Sequence, residues 1–372
     1  MDNQLSHISN ILLMGPGPSS VSNSVYEALA RPTLGHLDPV FINLMDEIKG
    51  FLKQLMGTEN ELTVPISGTG SAGMETCFVN LVEPGDRVLI LINGVFGTRM
   101  KDVASRLGAV VDSLDFEWGS VVDVKSVSDK LFKNQYDMVA IVHAETSTGV
   151  CNPIAEIGEM VRENDGLYLV DCVTSLGGIN VEMDDWHIDA LYSGTQKCLS
   201  CPPGLAPVSF SDKAIQKLSN RKTKVPNWYL DLSMIIQYWS GKSRVYHHTA
   251  PINMLYGLYQ ACFNVIDEGL DVVIQRHENM HKLLVSKLSN LGLELFVKEN
   301  DRLPMLNSVK IPDHINDSEF RSILLNEYKI EIGGGLGPLA GKIWRIGLMG
   351  ENAKKESIQK LMDAFKKILA KA

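Results

Sequence analysis

Between about residues 60 and 210, short apolar runs alternate with longer stretches of helical period. The runs are Leu62 to Ile66, Val88 to Ile92, Met138 to Val142, Leu167 to Val170 and Ala190 to Tyr192. Their unbroken apolar character, rich in Val, Ile and Leu, predicts strands buried on both faces, as in repeated βα units around a parallel sheet. The stretches between them space their apolar residues at i, i+3, i+4 and i+7. Met74, Cys77, Phe78 and Leu81 fall on one such face, and Met100, Val103, Ala104 and Leu107 on another. That spacing predicts amphipathic helices, the second closed by Gly108 as a C-cap. Pro84-Gly85-Asp86 turns the chain from a helix into the next strand.

After about residue 252 the texture changes. A long helical pattern leads to a strand candidate (Leu306 to Ile311), a helix (Ser318 to Tyr328), a glycine-rich loop, a second strand (Ile343 to Leu348) and a terminal helix. That helix places Ile358, Leu361, Met362, Phe365 and Leu369 on one face. The pattern divides the chain into an N-terminal arm (1–20), a large α/β domain (21–255) and a smaller α+β domain (256–372).

Composition narrows the function more than the fold. With 372 residues, 45% of them hydrophobic, the chain can bury a large core without staples. Its formal charge of −9 opposes binding to nucleic acid or to an anionic membrane, which leaves a small-molecule enzyme as the expectation. The cysteines, Cys77, Cys151, Cys172, Cys198, Cys201 and Cys262, lack the spacing of a disulfide framework or a zinc module. Cys198-Leu199-Ser200-Cys201 has the redox CxxC form but opens no helix of a thioredoxin-like unit. The opening MDNQLSHISN has no basic segment followed by an apolar one, and no apolar run approaches the ~18 residues of a membrane span. A cytoplasmic location is expected, with no membrane partner.

Ligands of open α/β sheets bind beyond the carboxyl ends of the strands, so the polar residues that follow each run are the ones that matter. Ser67-Gly68-Thr69-Gly70-Ser71-Ala72-Gly73 leaves a strand and opens a helix. Free N–H groups, the positive end of the helix dipole and hydroxyls make it a candidate phosphate cradle. It also reads as a tight βα turn, or as the GxGxxG of a dinucleotide site, although the next strand ends in Asn93-Gly94 and not in a ribose-binding acid. Leu167 to Val170 delivers Asp171 to a strand end, where a buried carboxylate calls for a cationic partner such as a protonated pyridine nitrogen, or else caps the next segment. Lys197, after Ser193-Gly194-Thr195-Gln196, is either a solvated loop lysine or an amine placed to form a Schiff base. Arg345, between Trp344 and Ile346, is either half of a structural ion pair or a fork for a carboxylate.

Taken in order, these segments supply a phosphate site, a pyridinium partner and an imine-forming amine at successive strand ends. Here the sequence resembles the class V, fold type I pyridoxal-phosphate enzymes, and among them the alanine-glyoxylate and serine-pyruvate aminotransferases. The likeness runs from about Leu12 to the terminal helix. It rests on Met14-Gly15-Pro16-Gly17-Pro18, Ser67-Gly68-Thr69-Gly70, Glu145-Thr146-Ser147-Thr148-Gly149, Val170-Asp171, Ser193-Gly194-Thr195-Gln196-Lys197, Tyr246-His247-His248-Thr249 and Trp344-Arg345-Ile346-Gly347.

The resemblance implies an α/β fold with a mostly parallel seven-stranded sheet and a smaller C-terminal domain. It implies that Lys197 carries pyridoxal 5'-phosphate and moves the substrate proton, and that Asp171 pairs with the pyridine nitrogen. Thr69, Gly70, Ser71 and Gln196 would surround the phosphate, Phe96 would stack on the ring, where many members have Trp, Val173 would pack on the other face, and Thr146 would meet the cofactor's hydroxyl side. Ser71 stands where some relatives have His. Tyr246 and Thr249 would reach the phosphate of a neighbouring subunit, which implies a homodimer with shared sites. Arg345 would clamp the substrate carboxylate, with Gly17 and Thr146 beside the substrate. The implied reaction moves the amino group of alanine or serine to glyoxylate or pyruvate. Ureidoglycine-glyoxylate aminotransferase is the near alternative, and a nicotinamide-dependent dehydrogenase or a non-catalytic scaffold the distant ones. A cysteine desulfurase would need a nucleophilic cysteine late in the chain, and none follows Cys262.

Overall fold

The computed structural model describes residues 3–240 and 244–371. Seven strands form the central sheet: β1 (Leu62–Ser67), β2 (Arg87–Ile92), β3 (Val110–Asp115), β4 (Met138–Val142), β5 (Leu167–Asp171), β6 (Ala190–Tyr192) and β7 (Leu205–Phe210). Their order is β1-β7-β6-β5-β4-β2-β3, and β7 alone runs antiparallel to its neighbours. The five apolar runs are strands, as their pattern predicts.

Two strands escape that pattern for separate reasons. β3 is an edge strand, Val-Val-Asp-Ser-Leu-Asp, and an edge can keep charge on the face it leaves open. β7 contains Pro207 and Ser209, which argue against an interior strand, yet all six of its positions are buried. Pro207 lies opposite Pro65 of β1 in register, but its carbonyl, and with it the missing N–H, faces the β6 side, where the carbonyl accepts from the backbone N–H of Ser193 at 2.7 Å.

Helices cover both faces of the sheet, and its core takes Phe41, Phe78, Ile90, Ile141, Tyr168, Leu191 and Phe210 to near-zero exposure. Register decides where the polar strand ends fall. Val142 pairs with Asp171 and Asp171 with Tyr192, so β4, β5 and β6 end level and present their last residues to one space.

A second core lies over the C-terminal region. Strands β8 (Leu306–Lys310), β9 (Gly333–Gly334) and β10 (Ile343–Gly347) form an antiparallel sheet in the order β8-β10-β9, backed by the helices Leu270–Ser289, Asp317–Tyr328 and Lys355–Leu369. Trp344 is its centre, stacked on Phe320 at 4.2 Å between centroids and edge-on to Phe365 at 5.6 Å. Its indole N–H donates to Asp317 Oδ1 at 3.1 Å, which satisfies the one polar atom that the ring buries. Because side chains alternate along a strand, burying Trp344 in this core turns Arg345 to the opposite face, toward the large sheet.

The N-terminal segment joins this core. Leu12 and Leu13 pair in parallel with Ile330 and Glu331, Met14 is fully buried, and its carbonyl accepts from the N–H of Gly347 at 2.8 Å. The next residues, Pro16 and Gly17, are thereby held against Lys197. The long helical pattern after residue 252 resolves into two helices, Ile252–Glu268 and Leu270–Ser289, broken at Gly269. Among the described residues, no helix is long and apolar enough to cross a membrane.

Trp344→Ala should lower stability by about 3–5 kcal/mol, because it leaves a cavity between Phe320 and Phe365 and strips Asp317 of a donor. Urea unfolding would show the loss as a lower midpoint at unchanged slope.

Candidate active site

Above the carboxyl ends of β1, β4, β5 and β6 lies a cleft. Gly70, Ser71, Phe96, Thr146, Asp171, Val173, Gln196 and Lys197 line it, so the tertiary structure brings together eight residues singled out in the sequence.

One end of the cleft is the start of the helix Gly70–Leu81. Thr69 is the N-cap, in extended conformation, and its hydroxyl makes no capping bond, so hydroxyl and first-turn N–H groups remain for a ligand. An anion placed there would lie at the positive end of the helix dipole. Gln196 is the nearby amide, and its buried Oε1 has no partner among the described residues. The dinucleotide reading of this turn loses its second half: the Asn93 side chain is buried and donates to Asn152 Oδ1 at 2.8 Å and to the carbonyl of Ser120 at 2.9 Å.

Asp171 ends β5 in full burial. The Tyr192 hydroxyl donates to Oδ2 at 2.7 Å and the Val173 N–H to Oδ1 at 2.8 Å. Burial pushes its pKa up to about 6, against the pull of these two hydrogen bonds. No cation touches this carboxylate among the described residues, although Lys197 faces it across the cleft.

Lys197 follows β6 in a segment pinned by Ser19, whose hydroxyl donates to the Lys197 carbonyl at 2.6 Å and whose N–H donates to the Gln196 carbonyl at 2.9 Å. The Lys197 ammonium donates to the carbonyl of Pro16. Gly17 makes this approach possible: at its φ of +107° a Cβ would lie 2.5 Å from Lys197 Nζ. Burial lowers the pKa of Lys197 to about 8, and the charge of Arg345 adds to the shift. The side chain is thus an amine with a substantial neutral fraction at physiological pH, as imine chemistry requires.

Phe96 sits in the first turn of the helix Val95–Arg106 and lines the cleft, with the Arg99 guanidinium 5.1 Å from its ring centroid. Arg345 lies just outside the lining. It is buried and carries its charge against carbonyl groups alone: Nε donates to Gly334 O at 2.7 Å and Nη1 to Thr146 O at 3.1 Å. Burial lowers its pKa to about 10, and Glu145 is the nearby charge that opposes the shift. Without a carboxylate partner among the described residues, this fork is open to an acid from outside.

Tyr246 and Thr249 stand apart. Both are exposed, their hydroxyls are 3.2 Å from each other, and neither lines the cleft of its own chain. Sequence reasoning missed Tyr192 and Arg99. The first is the last residue of an apolar run and reads as core, and the second sits on a helix at solvent-facing spacing, where nothing in the pattern marks it. All six cysteines are free, and Cys198 and Cys201 are both buried.

A flat phosphorylated pyridine aldehyde fits this residue set. The cleft offers a helix N-terminus with an unused hydroxyl for the phosphate, and the Gln196 amide, whose N–H₂ can donate to it. It offers an uncompensated carboxylate for the ring nitrogen, a ring and an aliphatic side chain for the faces, and an amine of lowered pKa for the aldehyde.

Comparison with known proteins agrees. The sequence pattern of the family Aminotransferase class-V matches residues 21–360. An alanine-glyoxylate aminotransferase from Drosophila melanogaster is 40% identical over 360 residues, 96% of this chain and 91% of that one. Among solved structures, an alanine-glyoxylate aminotransferase from Nostoc sp. superposes with a TM-score of 0.95 at 46% identity, covering 99% of this chain and 100% of the other. A ureidoglycine-glyoxylate aminotransferase from Bacillus subtilis does so with a TM-score of 0.96 at 38% identity, covering 98% and 94%. The chain therefore belongs to the class V aminotransferases, pyridoxal-phosphate-dependent enzymes of fold type I.

Proposed function

We propose that this enzyme transfers the amino group of a small amino acid, alanine or serine, to glyoxylate or pyruvate. The observation that carries the reading is Arg345, a buried guanidinium held only by carbonyls beside Lys197, which suits the α-carboxylate common to these substrates. The alanine-glyoxylate relatives support the choice of donor and acceptor. The Bacillus subtilis relative makes ureidoglycine the alternative donor.

In this reading Lys197 holds the cofactor covalently, and Thr69, Gly70, Ser71 and Gln196 hold its phosphate. Phe96 and Val173 take the two faces of its ring, and Thr146 meets its hydroxyl side. When bound, the cofactor supplies a cationic ring that accepts electrons released at the donor's Cα. Asp171 keeps a proton on the ring nitrogen: its carboxylate, already costly to bury alone, gains a cationic partner there. Once the donor has displaced it, Lys197 Nζ is a buried neutral amine beside the substrate and takes the proton from Cα. Arg345 fixes the carboxylate, with Gly17 and Thr146 beside it, so that Cα faces that amine.

We further propose a homodimer in which Tyr246 and Thr249 of each chain complete the phosphate site of the other. Both are exposed, the Tyr246 ring lying 5.2 Å from that of His36, and the two residues that follow Tyr246 carry exposed aromatic rings: Trp228 stacks on the buried His247 at 4.4 Å and Tyr229 packs on His248 at 4.7 Å. Exposed aromatic surface of this kind suits a partner subunit. A cytoplasmic location fits the six free thiols.

Attachment of pyridoxal phosphate to the apoenzyme should accelerate as pH rises through about 8, since below that value Lys197 is an ammonium without a free electron pair. Stopped-flow absorbance across pH 6–10 would measure it, and a profile centred near the ordinary lysine value of ~10.4 would contradict the buried amine.

Arg345→Gln should cost on the order of 2–5 kcal/mol in kcat/KM, and Arg345→Lys should also suffer because a point charge cannot replace the fork. Half-reactions with alanine, serine, ureidoglycine, aspartate and glutamate test the donor. If a dicarboxylic donor reacts faster than alanine and serine, Arg99 is a second anchor and the assignment fails.

Mixing inactive Lys197→Ala with a poorly active Tyr246→Phe, Thr249→Ala double variant should restore activity, since exchanged dimers would contain one site with every residue intact. No recovery after demonstrated subunit exchange would show that each chain completes its own site.

A further inference from the structure

Glu145 is fully buried beside the cleft but has no role in the chemistry above. It sits in a short antiparallel pairing, Ala144 opposite Cys151 and itself opposite Val150, that extends the chain beyond β4. Both of its carboxylate oxygens are engaged. Oε1 accepts from the Ser147 N–H at 3.1 Å and from the Ser147 hydroxyl at 2.6 Å, and Oε2 accepts from the Phe96 N–H at 3.3 Å. Ser147 Oγ in turn accepts from the Val95 N–H at 3.0 Å. Glu145 and Ser147 together therefore satisfy the first two N–H groups of the helix Val95–Arg106, whose N-cap, Gly94, has no side chain to do so. The absence is enforced, because a Cβ on Gly94 would lie 2.3 Å from Glu145 Cδ. A carboxylate from another strand has taken the place of a local cap, and the helix dipole favours its charge.

The same segment reaches the other side of the site. Thr146, between the two clamp residues, accepts from Arg345 Nη1 through its carbonyl at 3.1 Å. We propose that Glu145 is a positioning residue that locks the ring-bearing turn at Phe96 to the loop carrying Thr146, and so sets Phe96 for the cofactor. The proposal rests on the stacking role given to Phe96 above. Glutamine cannot replace the carboxylate, because it has one acceptor oxygen for donors on two sides, and its amide N–H₂ must face one of them. Burial raises the pKa of Glu145, and the hydrogen bonds from Ser147 and Phe96 work against that rise.

Affinity of the apoenzyme for pyridoxal phosphate, read by quenching of protein fluorescence, tests this in a double-mutant cycle. Glu145→Gln should weaken binding by ~10-fold when Phe96 is present and by less than ~2-fold in a Phe96→Ala background, since residues that act through one another are not additive. Should Glu145→Gln fail to fold, Ser147→Ala, which removes one arm of the clamp, enters the same cycle with the same expected non-additivity. Equal losses in both backgrounds, or unchanged affinity with only a lower melting temperature, would overturn the proposal alone. Unchanged affinity in Phe96→Ala itself would overturn the stacking role and the proposal with it.

Discussion

Four ionisable side chains, Asp171, Glu145, Lys197 and Arg345, are buried together at the carboxyl ends of the central strands, and none of them touches an opposite charge among the described residues. Hydroxyls, backbone N–H groups and carbonyls hold them instead. Taking a charged group out of water in this way costs several kcal/mol unless an opposite charge meets it. Burial accordingly pushes the pKa of Asp171 up and those of Lys197 and Arg345 down. Only the Lys197 shift favours the form that the chemistry uses, an amine able to lose its proton; the Asp171 carboxylate and the Arg345 guanidinium stay costly until a cation and an anion meet them. A pyridoxal-phosphate enzyme receives the missing charges and the missing electrophile from its cofactor and substrates.

The fold keeps those groups in place with elements from across the chain. Level ends of β5 and β6 set the Tyr192 hydroxyl on Asp171. The N-terminal segment, paired to the small sheet through Leu12 and Leu13, carries Pro16 and Gly17 to the Lys197 amine. Trp344 anchors β10 in the second core, so its neighbour Arg345 points at the Thr146 carbonyl. Three stretches far apart in sequence thus converge on one cleft, each held by apolar packing at a distance from the reacting atoms.

Tyr246 and Thr249 show a residue set whose use depends on something beyond one chain. Within the chain their hydroxyls meet each other and the Tyr246 ring packs on His36. Their proposed work at a partner's phosphate would make cofactor retention depend on association, so that mass action couples the two.

Most strands and helices of the central sheet can be read from the amino-acid order, because runs such as Met138–Val142 are apolar throughout and can only be buried on both faces. That order also marked Asp171, directly after such a run, and Lys197, a short polar segment beyond the next, where a strand must surface. Family resemblance supplied the remaining roles. That β7, with its proline, is an interior strand follows only from the fold, which seats it between β1 and β6. Likewise, only the fold turned Glu145 into the cap of a helix some 50 positions away, added Tyr192 to Asp171 and left Arg345 with carbonyls for partners. Local periodicity reports which face of an element is buried, but not which distant group it is buried against, because register and packing between elements set that contact.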